Sequence, residues 1–136
     1  MIKGMLLLFM NLNTIFKRFV VLDLILPLLL IVSVALESEE IFYFNQSFGQ
    51  PTDMVLFLSV FVAVVWLVSL YYLYNFKKNG RELYFFAIVF SLFLSLLMGD
   101  IASSATSYVL DGLGWANSGA ILTLLYFSPI KKEFGK

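Results

Sequence analysis

Three aspartates in or beside apolar stretches are the residues of this sequence whose type and position suggest chemistry. Asp23 follows the basic pair Lys17-Arg18, and Asp100 and Asp111 lie near the end of a later apolar stretch. A carboxylate placed inside a membrane is costly, so it indicates a functional site or a specific partner. The chemistry that such groups support is the binding of a proton, an ion or another polar group.

Asp23 has two interpretations. It lies five residues after Arg18, which is about 7–8 Å further along a helix. This depth favours an interfacial carboxylate paired with Lys17, Arg81 or Lys131. The alternative is a proton or cation site within the membrane, next to a bend that Pro27 introduces one turn later.

Asp100 and Asp111 also allow two arrangements. Eleven residues are close to three helical turns, so a single helix over 100–118 would place both carboxylates on one face with Ser107. That face would suit an ion or proton path. The alternative puts Asp100 at the outer end of one span and Asp111 near the start of the next, where both are hydrated. The length needed to cross a membrane favours this second arrangement.

Composition excludes several other kinds of site. The chain has 136 residues, of which 61% are hydrophobic and 13% are charged, with a net charge of zero. Cysteine and histidine are absent, which removes thiol chemistry and the usual zinc and copper sites. No nucleophile–base pair, phosphate loop or basic surface for nucleic acid is recognisable. We therefore expect no enzyme, no cofactor, no metal site and no nucleic-acid partner.

Four apolar stretches predict an all-α membrane protein with four transmembrane helices in an antiparallel bundle and a single domain. Crossing the hydrocarbon core takes roughly 20 residues. The predicted spans cover residues 19–36, 54–74, 83–98 and 108–127. An alternative for the first span is a signal peptide, since Ser33-Val34-Ala35 resembles a cleavage site.

Lysine and arginine predict the orientation of these spans. They cluster before the first span, between the second and third, and after the fourth, at Lys17, Arg18, Lys77, Lys78, Arg81, Lys131, Lys132 and Lys136. The loops at the opposite ends contain none. Because basic loops stay on the cytoplasmic side, we expect both termini in the cytoplasm of a bacterial cell and the Glu37–Asp53 loop outside.

Small residues repeat every four positions in the last two spans. One stripe consists of Ala87, Ser91, Ser95 and Gly99, and the other of Gly112, Ala116 and Ala120. Such stripes let membrane helices approach closely. We expect the two stripes to face one another as a packing contact. The alternative is a substrate groove lined by Ser91 and Ser95.

Aromatic residues concentrate at the predicted cytoplasmic interface, as an aromatic belt does. Tyr71, Tyr72 and Tyr74 end the second span, and Tyr84 begins the third. An aromatic cage for a quaternary ammonium group is an alternative use of these rings. Trp66 lies near the middle of its span, and we expect it to fill the core.

The carboxyl-terminal residues Tyr126-Phe127-Ser128-Pro129-Ile130-Lys131-Lys132-Glu133-Phe134 resemble the ending of a family of small, uncharacterised four-span bacterial membrane proteins. The stretch Tyr74-Asn75-Phe76-Lys77-Lys78 is similar to the same family. The chain differs from it at Pro129, in lacking an arginine at the basic position, and in lacking the glycine–tryptophan opening. The Lys17-Arg18-Phe19 motif also resembles the start of four-span flippases of prenol-linked sugars.

These patterns predict a multi-pass membrane protein without a catalytic motif. The favoured function is an accessory or interaction subunit that packs laterally in a membrane complex or against itself. The alternative is a small dimeric transporter or flippase that uses Asp23 or the Asp100/Asp111 pair. A lipid-modifying enzyme is the least favoured class.

Overall fold

The computed structural model describes residues 2–47, 51–98 and 101–134, with side chains from residue 12 onward. This part of the chain is all-α. It contains five α-helices and one short 3₁₀ helix, which are α1 Ile2–Ala35, α2 Glu39–Ser47, α3 Asp53–Tyr74, α4 Gly80–Met98, α5 Ala105–Phe127 and the 3₁₀ helix Pro129–Lys132.

Three of the described helices are long and apolar enough to cross a membrane. They are α1 over Leu12–Ala35, α3 over Asp53–Tyr74 and α4 over Gly80–Met98. Their outward faces carry large apolar side chains such as Leu28 and Phe57, which a membrane would cover. Helix α5 has 23 residues and a more polar sequence.

The chain leaves helical structure between α4 and α5. Residues 101–104 are not helical, and the Ser104 hydroxyl caps α5 by accepting from the Ser107 backbone N–H at 3.2 Å. A single helix over 100–118 is therefore not formed. Asp100 and Gly99, which the sequence analysis singled out, lie outside the described residues.

The helices associate as two antiparallel pairs, α1 with α5 and α3 with α4. Along the first pair, Ser33 contacts Ser107 near one end, and Asp23 contacts Ser118 further along. The turn joining the second pair is tight. Gly80, the first residue of α4, packs so closely against the end of α3 that an added Cβ would lie 3.0 Å from backbone atoms of Tyr72 and Leu73.

Aromatic and basic side chains cover one end of the bundle, which we call the basic end. Phe16, Phe76 and Phe134 form a ring cluster with centroids 5.3–6.1 Å apart, joining α1, the α3–α4 turn and the carboxyl-terminal segment. Phe76 adopts a left-handed backbone, with φ of 52°. Lys17 lies 4.6 Å from the Tyr74 ring centre, in a cation–π contact.

The opposite end, which we call the acidic end, is bounded by Glu37, Glu39, Glu40 and Asp53. Here the α4–α5 connection is tied to the first half of the chain. The Ser104 N–H donates to Glu37 at 2.9 Å. The side chain of Asn45 both accepts from the Ala102 N–H, at 2.8 Å, and donates to the Ala102 carbonyl, at 2.9 Å.

The small-residue stripes of α4 and α5 do not form the close contact that the sequence suggested. Ala87 is buried and Ala120 half-buried, but Gly112 and Ala116 are exposed. The face of α5 that turns inward carries Asn117 and Ser118 instead. Both side chains donate hydrogen bonds to Asp23. Turning them outward would leave the buried carboxylate without two donors, and this would cost more free energy than the looser packing of the small residues.

Candidate binding site around Asp23

Asp23 is the point at which the four long helices meet. Its side chain is 3% exposed and accepts four hydrogen bonds. Oδ2 accepts from Trp66 Nε1 of α3 at 3.1 Å and from the Tyr84 hydroxyl of α4 at 2.8 Å. Oδ1 accepts from Asn117 Nδ2 of α5 at 2.8 Å and from the Ser118 hydroxyl at 3.0 Å.

The number of donors matches an ionised carboxylate. The two oxygens of a carboxylate offer about four lone-pair sites, and each oxygen of Asp23 accepts two hydrogen bonds. Trp66 Nε1 and Asn117 Nδ2 can only donate, and one of them binds each oxygen, so a protonated carboxyl group would leave one of them bonded to the weakly accepting hydroxyl oxygen. The arrangement therefore holds a negative charge, and the four donors that hold it are neutral.

This geometry corrects the expectation of an interfacial carboxylate paired with lysine or arginine. Lys17 precedes Asp23 by six residues, so the two side chains leave α1 in directions roughly 120° apart. Lys17 instead lies over the ring of Tyr74, and Arg81 lies over the ring of Tyr126. Burial among helices, rather than nearness to a basic loop, determines the partners of Asp23.

Asn117 adds a second acceptor to this neighbourhood. Its amide nitrogen donates to Asp23 and to the Phe19 carbonyl, at 3.1 Å. Its Oδ1 is buried and has no hydrogen-bond donor among the described residues. A buried acceptor without a donor is unusual in a folded protein. It increases the negative potential around the carboxylate.

A cavity of about 380 Å³ begins at Asp23 and is lined by α1, α3, α4 and α5. This volume falls in the range of small-molecule pockets, about 300–1,000 Å³. The walls are mainly apolar and include Leu26, Pro27, Val62 and Ile88. The site thus combines one charged group with an apolar enclosure.

The cavity extends from Asp23 toward the acidic end, where its lining includes exposed residues of α4 and α5. Ser95 and Asp111 line its outer part, and both are exposed. Helices α4 and α5 touch near the basic end, where the rings of Phe85 and Tyr126 lie 6.0 Å apart. Ser91 and Ser95, which the sequence analysis named as the lining of a possible groove, both line this cavity.

Both tryptophans of the chain line this cavity. Trp66 donates to Asp23, a role that its central position in the span did not reveal. Trp115 lies further out and is 37% exposed. One indole therefore lies beside the carboxylate, and the other belongs to a more exposed part of the lining.

Only some of the candidate site residues proposed from the sequence line this cavity. Asp23 lies at its closed end and Asp111 near its opening, whereas Ser107 lies outside the cavity and bonds Ser33 at 2.9 Å. Sequence reasoning missed Asn117 and assigned Tyr84 to the aromatic belt. An asparagine in a span was a usable signal, because an amide in a membrane helix needs a partner.

Glu37 is the outermost polar contact near the site. The Ser104 backbone N–H, followed by the Ser107 hydroxyl, lowers the pKa of this carboxyl below 4.5. Glu37 is therefore charged at neutral pH and contributes to the negative potential of the acidic end. In the ranges that the structure describes, no three acidic side chains lie close enough together to hold a metal ion.

Comparisons with known proteins give no family assignment. No protein-family model, curated protein or solved structure matches this chain.

Proposed function

We propose that this chain is a small bacterial inner-membrane transporter that binds its substrate in the Asp23 cavity. In this proposal α1, α3, α4 and α5 all span the membrane, and both termini are cytoplasmic. The basic end then faces the cytoplasm, in agreement with the distribution of lysine and arginine. The cavity opens toward the outer half of the membrane.

The observation that carries the proposal is the position of a charged carboxylate at the closed end of an open apolar cavity. A group that only held the helices together would need the four hydrogen bonds but no space beside it. Asp23 has both the bonds and the space. Ionisable residues that face a cavity inside a membrane commonly mark a substrate or ion pathway.

The exposed face of α5 supports association with another membrane helix. Gly112, Ala116 and Gly119 lie on this face and are exposed. Small residues at this spacing let a neighbouring backbone approach closely. A second copy of the chain would complete a homodimeric transporter. The same face favours the second candidate function, an accessory subunit bound to a different membrane protein.

Tryptophan emission tests whether the cavity binds small molecules. The protein in lipid nanodiscs is titrated with three probes that share a benzyl body: benzyltrimethylammonium, its neutral isostere neopentylbenzene, and phenylmethanesulfonate. Because both tryptophans line the cavity, occupation should change the emission saturably.

Two neighbouring residues of α5 provide a pair of variants. Gly114 lines the cavity, and a Cβ added there meets no atom within 4 Å, whereas Leu113 is exposed and does not line it. Gly114→Phe should fill the cavity and abolish the saturable change, whereas Leu113→Phe should preserve it. The binding proposal is refuted if no probe gives a saturable change, or if Gly114→Phe binds as the parent does.

Transport and assembly are then measured on the parent protein. A charged probe that binds should accumulate in proteoliposomes when a membrane potential of the attracting sign is imposed, and accumulation should be lost in Gly114→Phe. Native mass spectrometry of the protein isolated from its membrane should show a homodimer. Binding without accumulation, together with a hetero-complex, would favour the accessory subunit.

A further inference from the structure

We infer that the Asp23 cavity is selective for an amphipathic organic cation, a molecule with one positive charge on an apolar body. This inference rests on the proposed function, because it names the class of substrate that the same cavity accepts. The charges around the cavity and the apolar side chains that line it support this inference.

The closed end of the cavity carries a negative charge that the protein does not neutralise. Four neutral groups stabilise Asp23 by hydrogen bonding, and the orphaned Oδ1 of Asn117 lies on a side chain that bonds it. Hydrogen bonds disperse a charge but leave its sign unchanged. A bound cation would therefore be attracted to a carboxylate whose charge the four donors weaken but do not cancel, in surroundings of low polarity.

The sequence keeps basic side chains away from this cavity. Residues 19–76 and 82–130 contain no lysine or arginine, and all of the residues that line the cavity fall within these ranges. Asp111 adds a negative charge near the opening, and Glu37 adds another at the acidic end. A cavity lined by one sign of charge concentrates ligands of the opposite sign.

The walls specify the rest of the ligand. Apart from Asp23, Asp111 and a few serines, the lining side chains are apolar or aromatic. The indole of Trp66 presents its N–H edge to the carboxylate, with Nε1 3.1 Å from Oδ2, and its apolar ring is part of the cavity wall. A bare metal ion would find few further oxygen ligands here, whereas an organic cation would bury its apolar part.

The hydrogen bonds of Asp23 also guide the choice of probe. Its lone pairs already accept four donors, so the ligand contributes charge rather than a fifth hydrogen bond. Benzyltrimethylammonium supplies a charge without any N–H group. Neopentylbenzene has the same shape without the charge, so the difference in affinity between the two isolates the electrostatic contribution.

The experiment compares the affinities of this pair by tryptophan emission, in nanodiscs of phosphatidylglycerol, which carries no ammonium group. In the parent protein the cation should bind at least about tenfold more tightly than its neutral isostere, which corresponds to about 1.4 kcal/mol. Asp23→Asn should remove this preference. Asp53→Asn, at the exposed start of α3, should keep it.

The outcomes separate the inference from the proposed function. If neopentylbenzene binds as tightly as the cation to the parent protein, and Gly114→Phe abolishes that binding, the cavity binds ligands but the cation inference is refuted. If phenylmethanesulfonate alone binds, the cation inference is refuted and the binding proposal stands, and if none of the three probes binds, both fail. If Asp23→Asn does not fold, the same comparison in Gly114→Phe decides, because a preference caused by the anionic lipid would persist after the cavity is filled. Competition by added phosphatidylcholine would identify a lipid headgroup as the source of the cation, and its absence would identify a free molecule.

Discussion

The Tyr84 hydroxyl of α4 donates a 2.8 Å hydrogen bond to Oδ2 of Asp23 on α1, and both side chains are buried. This bond connects the α3–α4 pair to the α1–α5 pair across the closed end of the cavity. It is charge-assisted, a class stronger than bonds between neutral groups.

Tyr84→Phe should lower the free energy of unfolding by about 1–3 kcal/mol, because it removes one donor from a buried charge. Thermal unfolding in detergent measures the effect. Tyr71→Phe is the control, since the Tyr71 side chain is 59% exposed. Equal stability of the two variants would contradict the importance of the bond.

Asp23→Leu should prevent folding, and Asp23→Asn should fold with reduced stability. Leucine offers no acceptor to the four donors, whereas asparagine retains one acceptor oxygen. Each buried donor without an acceptor costs about 1–3 kcal/mol. The yield of monodisperse protein after detergent extraction checks this order. A stable leucine variant would show that the hydrogen bonds of Asp23 are dispensable.

Acidification should weaken the contact between Glu37 and Ser104. The pKa of Glu37 is lowered in the folded protein, so this contact contributes stability above pH 4.5, and the contribution is lost as the pH falls through the lowered pKa. Glu37→Gln should remove this part of the pH dependence. Unfolding measured from pH 7 to pH 3 on both proteins tests the difference, and parallel curves would contradict the assignment.

Gly80→Ala should destabilise the α3–α4 turn by about 1–3 kcal/mol, a typical cost of overpacking. The added methyl group would lie 3.0 Å from backbone atoms that cannot move independently. Gly119→Ala is the control, because its Cβ meets no atom within 4 Å and alanine favours a helix. In thermal unfolding, Gly80→Ala should therefore have a lower Tm than the parent protein, and Gly119→Ala should have a higher one.

Single cysteines test the proposed topology, since the chain contains none. Ser47 and Asn79 are exposed at opposite ends of the bundle. In intact cells a membrane-impermeant thiol reagent should label Ser47→Cys and not Asn79→Cys. Equal labelling of both variants would refute the four-span arrangement.

The helical class follows from the sequence because length and apolarity determine what a membrane-crossing segment can be. The partners of Asp23 do not follow from it, because they depend on how α3, α4 and α5 rotate about their axes. Distance along the chain favoured Lys17, yet helix geometry turns that lysine toward Tyr74.

The small-residue stripes show the same limit. Spacing identified Gly112 and Ala116 as candidates for a close contact, but spacing does not say which face of α5 turns inward. Asn117 and Ser118 decide that face, because each has a hydrogen bond to make with Asp23. The hydrogen-bond partners of a polar side chain belong to other helices of the assembled bundle, so the sequence of one helix does not reveal them.

The pairing of the first long helix with the last has a consequence for biosynthesis. Two of the four donors to Asp23, Asn117 and Ser118, belong to α5 and are separated from Asp23 by 94 and 95 residues of chain. During synthesis α3 and α4 can associate as neighbours, but α1 must wait until the ribosome has produced α5. Until then Asp23 lacks two of its four hydrogen-bond donors. Insertion of α5 therefore completes both the surroundings of the buried carboxylate and the packing of the bundle.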